Sequence, residues 1–338
     1  GYSSAASDVY KRQRLHRLIS GLEKKGNSYT TDDVIDEFKR YEQECSLFNF
    51  MELQIVKLKQ KGKSRTAETY VSTLNSFKKF RNNEDIMMDA LTSDIMEDYE
   101  AFLQKRGNIP NTISFYMRIL RAVYNRAVEQ ELIEQRNPFR RVYTGVDKTQ
   151  KRALPMSVIK KIHALDLGLN PALDYARDMF MMSFFLRGMS FIDMAFLRKT
   201  DLQNGSITYR RRKTNQKLTI GWTREMQTLL DKYPENPTQY ILPIIQKEGI
   251  DERLRYRSAG YNINRSLKKI AKLANVNIPL TLYCARHSWA SAAKAKGIPL
   301  SVISEGMGHD SETTTQIYLA SLETSVVDDA NSLILSDL

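Results

Sequence analysis

The stretch LYCARHSWASAA, residues Leu282–Ala293, decides how the rest of the chain is read. Small and apolar residues flank an arginine and a histidine, so the stretch is expected to form a mostly buried helix carrying Arg286 and His287. It is followed by EGMGHDSETTTQIYLA, Glu305–Ala320, in which His309 and Tyr318 stand 318 − 309 = 9 positions apart. The planar fork of an arginine can bond two oxygens of one phosphoryl group, which makes Arg286 the leading phosphate ligand. A tyrosine hydroxyl, with a pKa near ~10, becomes a nucleophile only when the phosphate charge is neutralised and its proton has a destination. His309 can donate to a non-bridging oxygen or assist that proton. His287 reads as a structural hydrogen-bonding group.

Outward from this stretch, FFLRGMSFIDM (Phe184–Met194) reads as a helix junction. Gly188 suits the left-handed end of one helix, and Ser190 with Asp193 has the spacing of a capping box that starts the next. GSITYRRRKTNQKLTIGW (Gly205–Trp222) alternates and is rich in β-formers around a polar centre, the pattern of a hairpin whose basic loop holds Arg212 and Lys213. Toward the N-terminus, SYTTDDVIDEFKRY reads as a helix start with Thr30 and Asp33 at capping-box spacing. Three helical stripes follow: Tyr70, Leu74 and Phe77; Ile95, Tyr99, Phe102 and Leu103, ended by Gly107; and Ile113, Met117, Leu120, Tyr124 and Ala127. Their polar faces carry Lys78, Lys79, Arg118 and Arg121, expected with Arg212 to face a polyanion.

Composition agrees. Lys+Arg minus Asp+Glu is 51 − 39 = +12 over 338 residues, a basic excess that favours a nucleic-acid partner. No apolar run is long enough to span a bilayer, and two distant cysteines form neither a disulfide pattern nor a metal pattern, so a reducing, cytoplasmic setting is expected. The chain divides as follows. Residues 1–13 read as a non-native leader, and 14–27 as a short amphipathic piece. A helical domain covers 28–135, a basic Pro- and Gly-bearing linker 136–155, and a second, mixed domain 156–324. The last segment, 325–338, has apolar residues at helical spacing.

The pairing of YCARH (Tyr283–His287) and MGH (Met307–His309) with Tyr318 resembles the tyrosine recombinases of the phage integrase family, and most closely their conjugative-transposon integrase branch. The resemblance covers most of residues 60–325. It implies a mainly α fold with a small antiparallel sheet: a helical core-binding domain and a mixed α/β catalytic domain that grip DNA as a C-shaped clamp. Residues 14–27 would then be the remnant of an arm-binding region. The implied reaction is site-specific cleavage and rejoining of double-stranded DNA through a 3′-phosphotyrosyl link, with Tyr318 as nucleophile. It needs no metal, ATP or other cofactor. It also implies a homotetramer on paired DNA sites, accessory DNA-bending or excision factors as further partners, and a C-terminal helix that docks on a neighbour. Lys213 falls where the family carries its acid.

Two positions depart from the family pattern. Tyr283 stands where the second box usually opens with histidine; it can still donate a hydrogen bond. Ser190 stands where the first box has its arginine, leaving the phosphate one cation short. Arg187 is the expected substitute, ahead of Arg177 and Arg198. Two other readings stay open: a DNA-binding protein of this fold with impaired catalysis, and an enzyme resembling type IB topoisomerases.

Overall fold

The computed structural model describes residues 30–147, 153–249, 251–309 and 311–320, with scattered positions between 12 and 24. The leader expected over 1–13, most of the amphipathic piece at 14–27 and the tail helix at 325–338 lie outside the described residues. The chain forms two compact units, Gly1–Asp147 and Lys148–Leu338.

The first unit is helical: α1 (Thr31–Cys45), α2 (Leu47–Gln60), α3 (Ser64–Phe80), α4 (Ser93–Lys105) and α5 (Pro110–Glu129). The capping box at its start forms as expected. Thr30 Oγ1 accepts from the Asp33 amide at 3.2 Å, and Asp33 Oδ2 accepts from the Thr30 amide at 2.7 Å. The expected stripes bury Tyr70, Leu74 and Phe77 from α3, Tyr99 and Leu103 from α4, and Ile113, Met117, Leu120, Tyr124 and Ala127 from α5. Phe77 meets Tyr99 edge to face, with ring centroids 4.9 Å apart, and the Tyr99 hydroxyl donates to Ser76 Oγ at 2.8 Å, so the polar end of a buried aromatic is satisfied.

On the polar faces, Lys79 and Arg118 are exposed. Lys78 pairs with Glu52 at 2.8 Å, and Arg121 reaches Thr144 Oγ1 at 3.2 Å. In the segment 136–155, expected to link the domains, some of the described residues pack. Phe139 and Val142 are buried in the first unit, and Leu154 is buried in the second. Its few apolar side chains are what anchor an otherwise basic and aperiodic stretch.

The second unit contains α6 (Met156–His163), α7 (Pro171–Phe185), α8 (Phe191–Ala195), α9 (Arg224–Leu230), α10 (Glu252–Leu273), α11 (Leu282–Ala295), α12 (Leu300–Met307) and α13 (Glu312–Ala320). A three-stranded antiparallel sheet in the order β1 (Leu202–Gln203), β2 (Ser206–Arg210), β3 (Lys217–Gly221) completes it. The expected hairpin is β2–β3. Ile207 faces Ile220 on the buried side, and Thr208 faces Thr219 on the open side.

Helix α7 is the hub of this unit, packed against α10 and α11. Met179, Phe180, Met181 and Met182 are consecutive and all buried, so the helix has almost no polar face along this run. Beside it, Arg177 lies in a charged cluster. Its Nε donates to Asp178 at 2.7 Å, its Nη1 donates to the carbonyls of Leu165 (2.7 Å) and His163 (3.2 Å), and Asp174 takes its Nη2. Among the described residues no helix is long and apolar enough to cross a membrane.

Candidate active site

Arg286 is the centre on which the expected motifs converge. It sits on α11 and is 4% exposed. Its Nη1 donates to the carbonyl of Gly188 at 3.0 Å. Its Nη2 donates to the carbonyl of Met307 at 2.7 Å and lies 3.1 Å from His309 Nε2. One guanidinium therefore ties together the junction after α7, the end of α12 and the His309 turn. The tie depends on glycine geometry at two places. Gly188 has φ +71°, and a Cβ built there would lie 2.5 Å from Arg286 Cα. Gly308 has φ +62° and closes α12 in the left-handed conformation.

Gly188→Ala combines a disfavoured backbone with a collision against the α11 backbone. It is expected to lower stability by about 2 kcal/mol or more. Thermal melting of the full chain checks this, and the lost stability should come with lost activity because Arg286 is what the added methyl displaces.

The structure also places Arg211 in this site, which the sequence reading did not single out. Arg211 is 8% exposed, and its Nη1 donates to the Gly308 carbonyl at 2.5 Å. Its charge acts on Arg286: burial first and Arg211 second hold the Arg286 pKa below its ordinary value. Among the described residues neither guanidinium is ion-paired with a carboxylate; their hydrogen bonds go to carbonyls and, for Arg286, to His309. Two buried cations close enough to oppose each other are costly without an anion. A signal for Arg211 existed in the strand period. Ile207 and Tyr209 turn toward the core side of β2, and the next odd position is Arg211, while Arg210 and Arg212 turn out.

The three substitutes expected from the sequence make contacts of their own, and the charge of Arg187 acts with those of Arg211 and Arg286 on Tyr209. Arg187 has φ +60° and is half-buried, and its Nη1 lies 3.5 Å from the Thr219 carbonyl on β3. Arg177 is engaged in the cluster described above. Arg198 is exposed, and its backbone caps the short turn Lys199–Asp201 through Asp201 Oδ2 at 2.8 Å. Ser190 takes the N-cap position of α8, but its side chain makes no cap bond. It donates instead to Asp193 Oδ2 at 2.6 Å. Asp193 Oδ1 accepts from the Arg212 amide at 2.9 Å. That bond, with the Arg212 guanidinium stacked 3.9 Å above the Phe196 ring, fixes the hairpin loop that presents Arg211 and Lys213. Lys213 is exposed at the loop.

Tyr318, on α13, is held against both histidines. Its hydroxyl is hydrogen-bonded to His287 Nδ1, and the two rings stack with centroids 5.3 Å apart. The His309 ring lies edge-on at 5.6 Å. Burial, then the neighbouring Tyr283, push the Tyr318 pKa well above the usual phenol value, while Arg286 acts in the opposite direction. His309 is fixed on its other side, where Nδ1 lies 2.7 Å from Oγ1 of the fully buried Thr315. Tyr283 is 52% exposed and lies with Ser190, Arg257, Tyr261 and Arg286 along a groove of about 680 Å³.

Tyr318, His309, Arg286 and Tyr283 thus lie together, with Arg211 and His287 beside them, while Lys213 is exposed on the hairpin loop and Arg187 contacts β3. Family models match both units. Residues 46–144 match the phage integrase SAM-like domain, and residues 157–324 match the phage integrase family. The chain belongs to the tyrosine recombinases of the phage integrase family. With the family comes the activity: it is a DNA recombinase of the site-specific kind.

Among curated relatives, the tyrosine recombinase XerC of Thermodesulfovibrio yellowstonii is 25% identical over 278 residues, 79% of this chain and 89% of that protein. A lambda integrase dimer bound to a COC′ core site shares the fold at TM-score 0.63, with 15% identity, covering 81% of this chain and 95% of that one. The Tn1549 transposon integrase in complex with circular-intermediate DNA does so at TM-score 0.59, with 16% identity and the same two coverages, 81% and 95%.

Proposed function

We propose that Tyr318 attacks a DNA phosphodiester clamped between Arg286 and Arg211, forming a 3′-phosphotyrosyl link and releasing a 5′-hydroxyl. The observation that carries this reading is the pair of buried arginines beside the Tyr318 site, two cations whose mutual repulsion a phosphate would relieve. In the pentacoordinate transition state the non-bridging oxygens gain charge, and donors already fixed by the Gly188, Met307 and Gly308 carbonyls meet that charge without reorganising. Lys213, on the anchored hairpin loop, is the acid for the departing 5′-oxygen. His309 supports Arg286 and the phosphate, Tyr283 donates to the phosphate from the groove rim, and Arg187 adds positive charge beside β3.

The DNA is double-stranded. Lys79 and Arg118 on the first unit and the exposed Arg212 on the second contact its backbone, with Lys78 and Arg121 contributing once released from Glu52 and Thr144. A multimer on paired sites is supported by the lambda integrase structures, one a dimer on a core site and one a tetramer on a Holliday junction. The outcome for the cell is integration, excision or inversion of a mobile element, with accessory DNA-bending or excision factors.

The test is a nicked duplex built on the element's own ends. The wild-type chain should accumulate a covalent protein–DNA adduct, and Tyr318→Phe should form none while binding the same DNA. A wild-type chain that bound the site and formed no adduct would point instead to a catalytically impaired binding protein.

A further inference from the structure

We propose that His287 is the proton acceptor for Tyr318, a role that rests on Tyr318 being the nucleophile. His287 is 5% exposed, and its Nδ1 is hydrogen-bonded to the Tyr318 hydroxyl with the rings stacked. In the tautomer protonated on Nε2, Nδ1 accepts from the phenol and can take its proton along an existing hydrogen bond.

The two other groups one would assign this role are placed differently. An arginine only donates, so His309 Nε2, facing Arg286 Nη2, is the acceptor in that contact; the ring proton then sits on Nδ1, directed at Thr315 Oγ1. Both His309 ring nitrogens are thus engaged away from the phenol, and His309 serves the phosphate side. Tyr283 occupies the position where the box more often has histidine, yet it is itself a phenol. It packs edge-on against His287 with centroids 4.7 Å apart. Among the described residues, the rings packed on His287 include Tyr283 from its own helix, α11, and Tyr318 from α13. This arrangement holds the imidazole between two phenols, one exposed and one reactive.

The step balances. The Tyr318 oxygen forms a bond to phosphorus as the bond from phosphorus to the 5′-oxygen breaks. The phenolic proton passes to His287 Nδ1, and the departing 5′-oxygen receives a proton from a separate acid, Lys213. In rejoining, the 5′-hydroxyl returns its proton to Lys213 as its oxygen bonds to phosphorus, the bond from phosphorus to the Tyr318 oxygen breaks, and His287 returns its proton to the leaving phenolate.

The test uses single-turnover cleavage of the nicked duplex by the full chain with His287→Asn and His287→Ala. Asparagine keeps an acceptor near the Nδ1 position but cannot take a proton. Both variants should cleave about 100-fold or more slowly than wild type. Their rates should climb steadily with pH through the neutral range, where the wild-type rate levels off. A duplex carrying sulfur in place of the bridging 5′-oxygen, which leaves without a proton, should restore Lys213→Ala and leave His287→Asn slow. A His287→Asn chain that cleaved within about threefold of wild type, kept the wild-type pH profile, or recovered with the sulfur substrate would overturn the proposal. A wild-type chain forming no Tyr318 adduct would instead sink the nucleophile assignment, and this proposal with it.

Discussion

Arg286→Ala is expected to lower the single-turnover rate of strand cleavage by about 1,000-fold or more. The side chain supplies one of the two cations nearest the proposed phosphate. It also donates to the Gly188 and Met307 carbonyls and contacts His309 Nε2. Its removal therefore takes away transition-state charge and the bonds that register three motifs at once. Arg286→Lys should recover little. An ammonium is a point charge that cannot hold two carbonyls and present a planar edge to the phosphate together. Thermal melting separates the two losses. The alanine leaves buried carbonyl acceptors without their donor, at a cost on the order of 1–3 kcal/mol, so a chain that stays folded at the assay temperature reports the chemical defect.

The second large effect is expected at Arg211. Arg211→Ala should slow cleavage by about 100-fold or more, and by more than Arg187→Ala or Arg198→Ala. The reason is position. Arg211 shares with Arg286 the carbonyl-lined end of α12, Gly308 and Met307 respectively, and its charge is felt by Arg286. The Arg187 guanidinium turns to the Thr219 carbonyl, and Arg198 is exposed beside a capped turn. DNA binding at moderate salt should fall only slightly in Arg211→Ala, because one phosphate contact among many is lost. An Arg187→Ala chain with the deeper cleavage defect would reverse this ordering and return the first cation to the helix junction.

Much of this arrangement was legible in the sequence because local rules and global packing agree there. The stripes of α3, α4 and α5 are amphipathic, so a period of 3.6 exposes which residues enter the core. Thr30 and Asp33 announce their capping box because both bonds are local. The boxes around Arg286, His309 and Tyr318 carry their own spacing. The basic segment 136–155 was harder, since a few isolated apolar residues, Phe139, Val142 and Leu154, give no period and show their burial only when the partner surface is known.

The sequence offered Arg187 as the missing cation, and the structure adds Arg211 as a second candidate for a related reason. Arg187 lies beside Ser190 in sequence, and proximity along the chain suggested proximity in space. A residue with φ +60° at a helix end turns its side chain off the helix path, and here it leads to β3. Arg211 is 21 residues from Ser190 (211 − 190). It reaches the site through the Asp193 bond to the hairpin loop, a tertiary contact that no spacing rule contains. The contact between His287 and Tyr318 spans 31 positions and was equally hidden.

The most direct test of the account is to find which residue carries the DNA. The adduct trapped on a nicked duplex can be digested with protease and nuclease and the nucleotide-bearing peptide sequenced by mass spectrometry. The account predicts a 3′-linked nucleotide on Tyr318, in the segment ETTTQIYLA of α13. A nucleotide on the exposed Tyr283, which lines the groove beside Arg286, or a phosphate joined through the 5′ end, would contradict it.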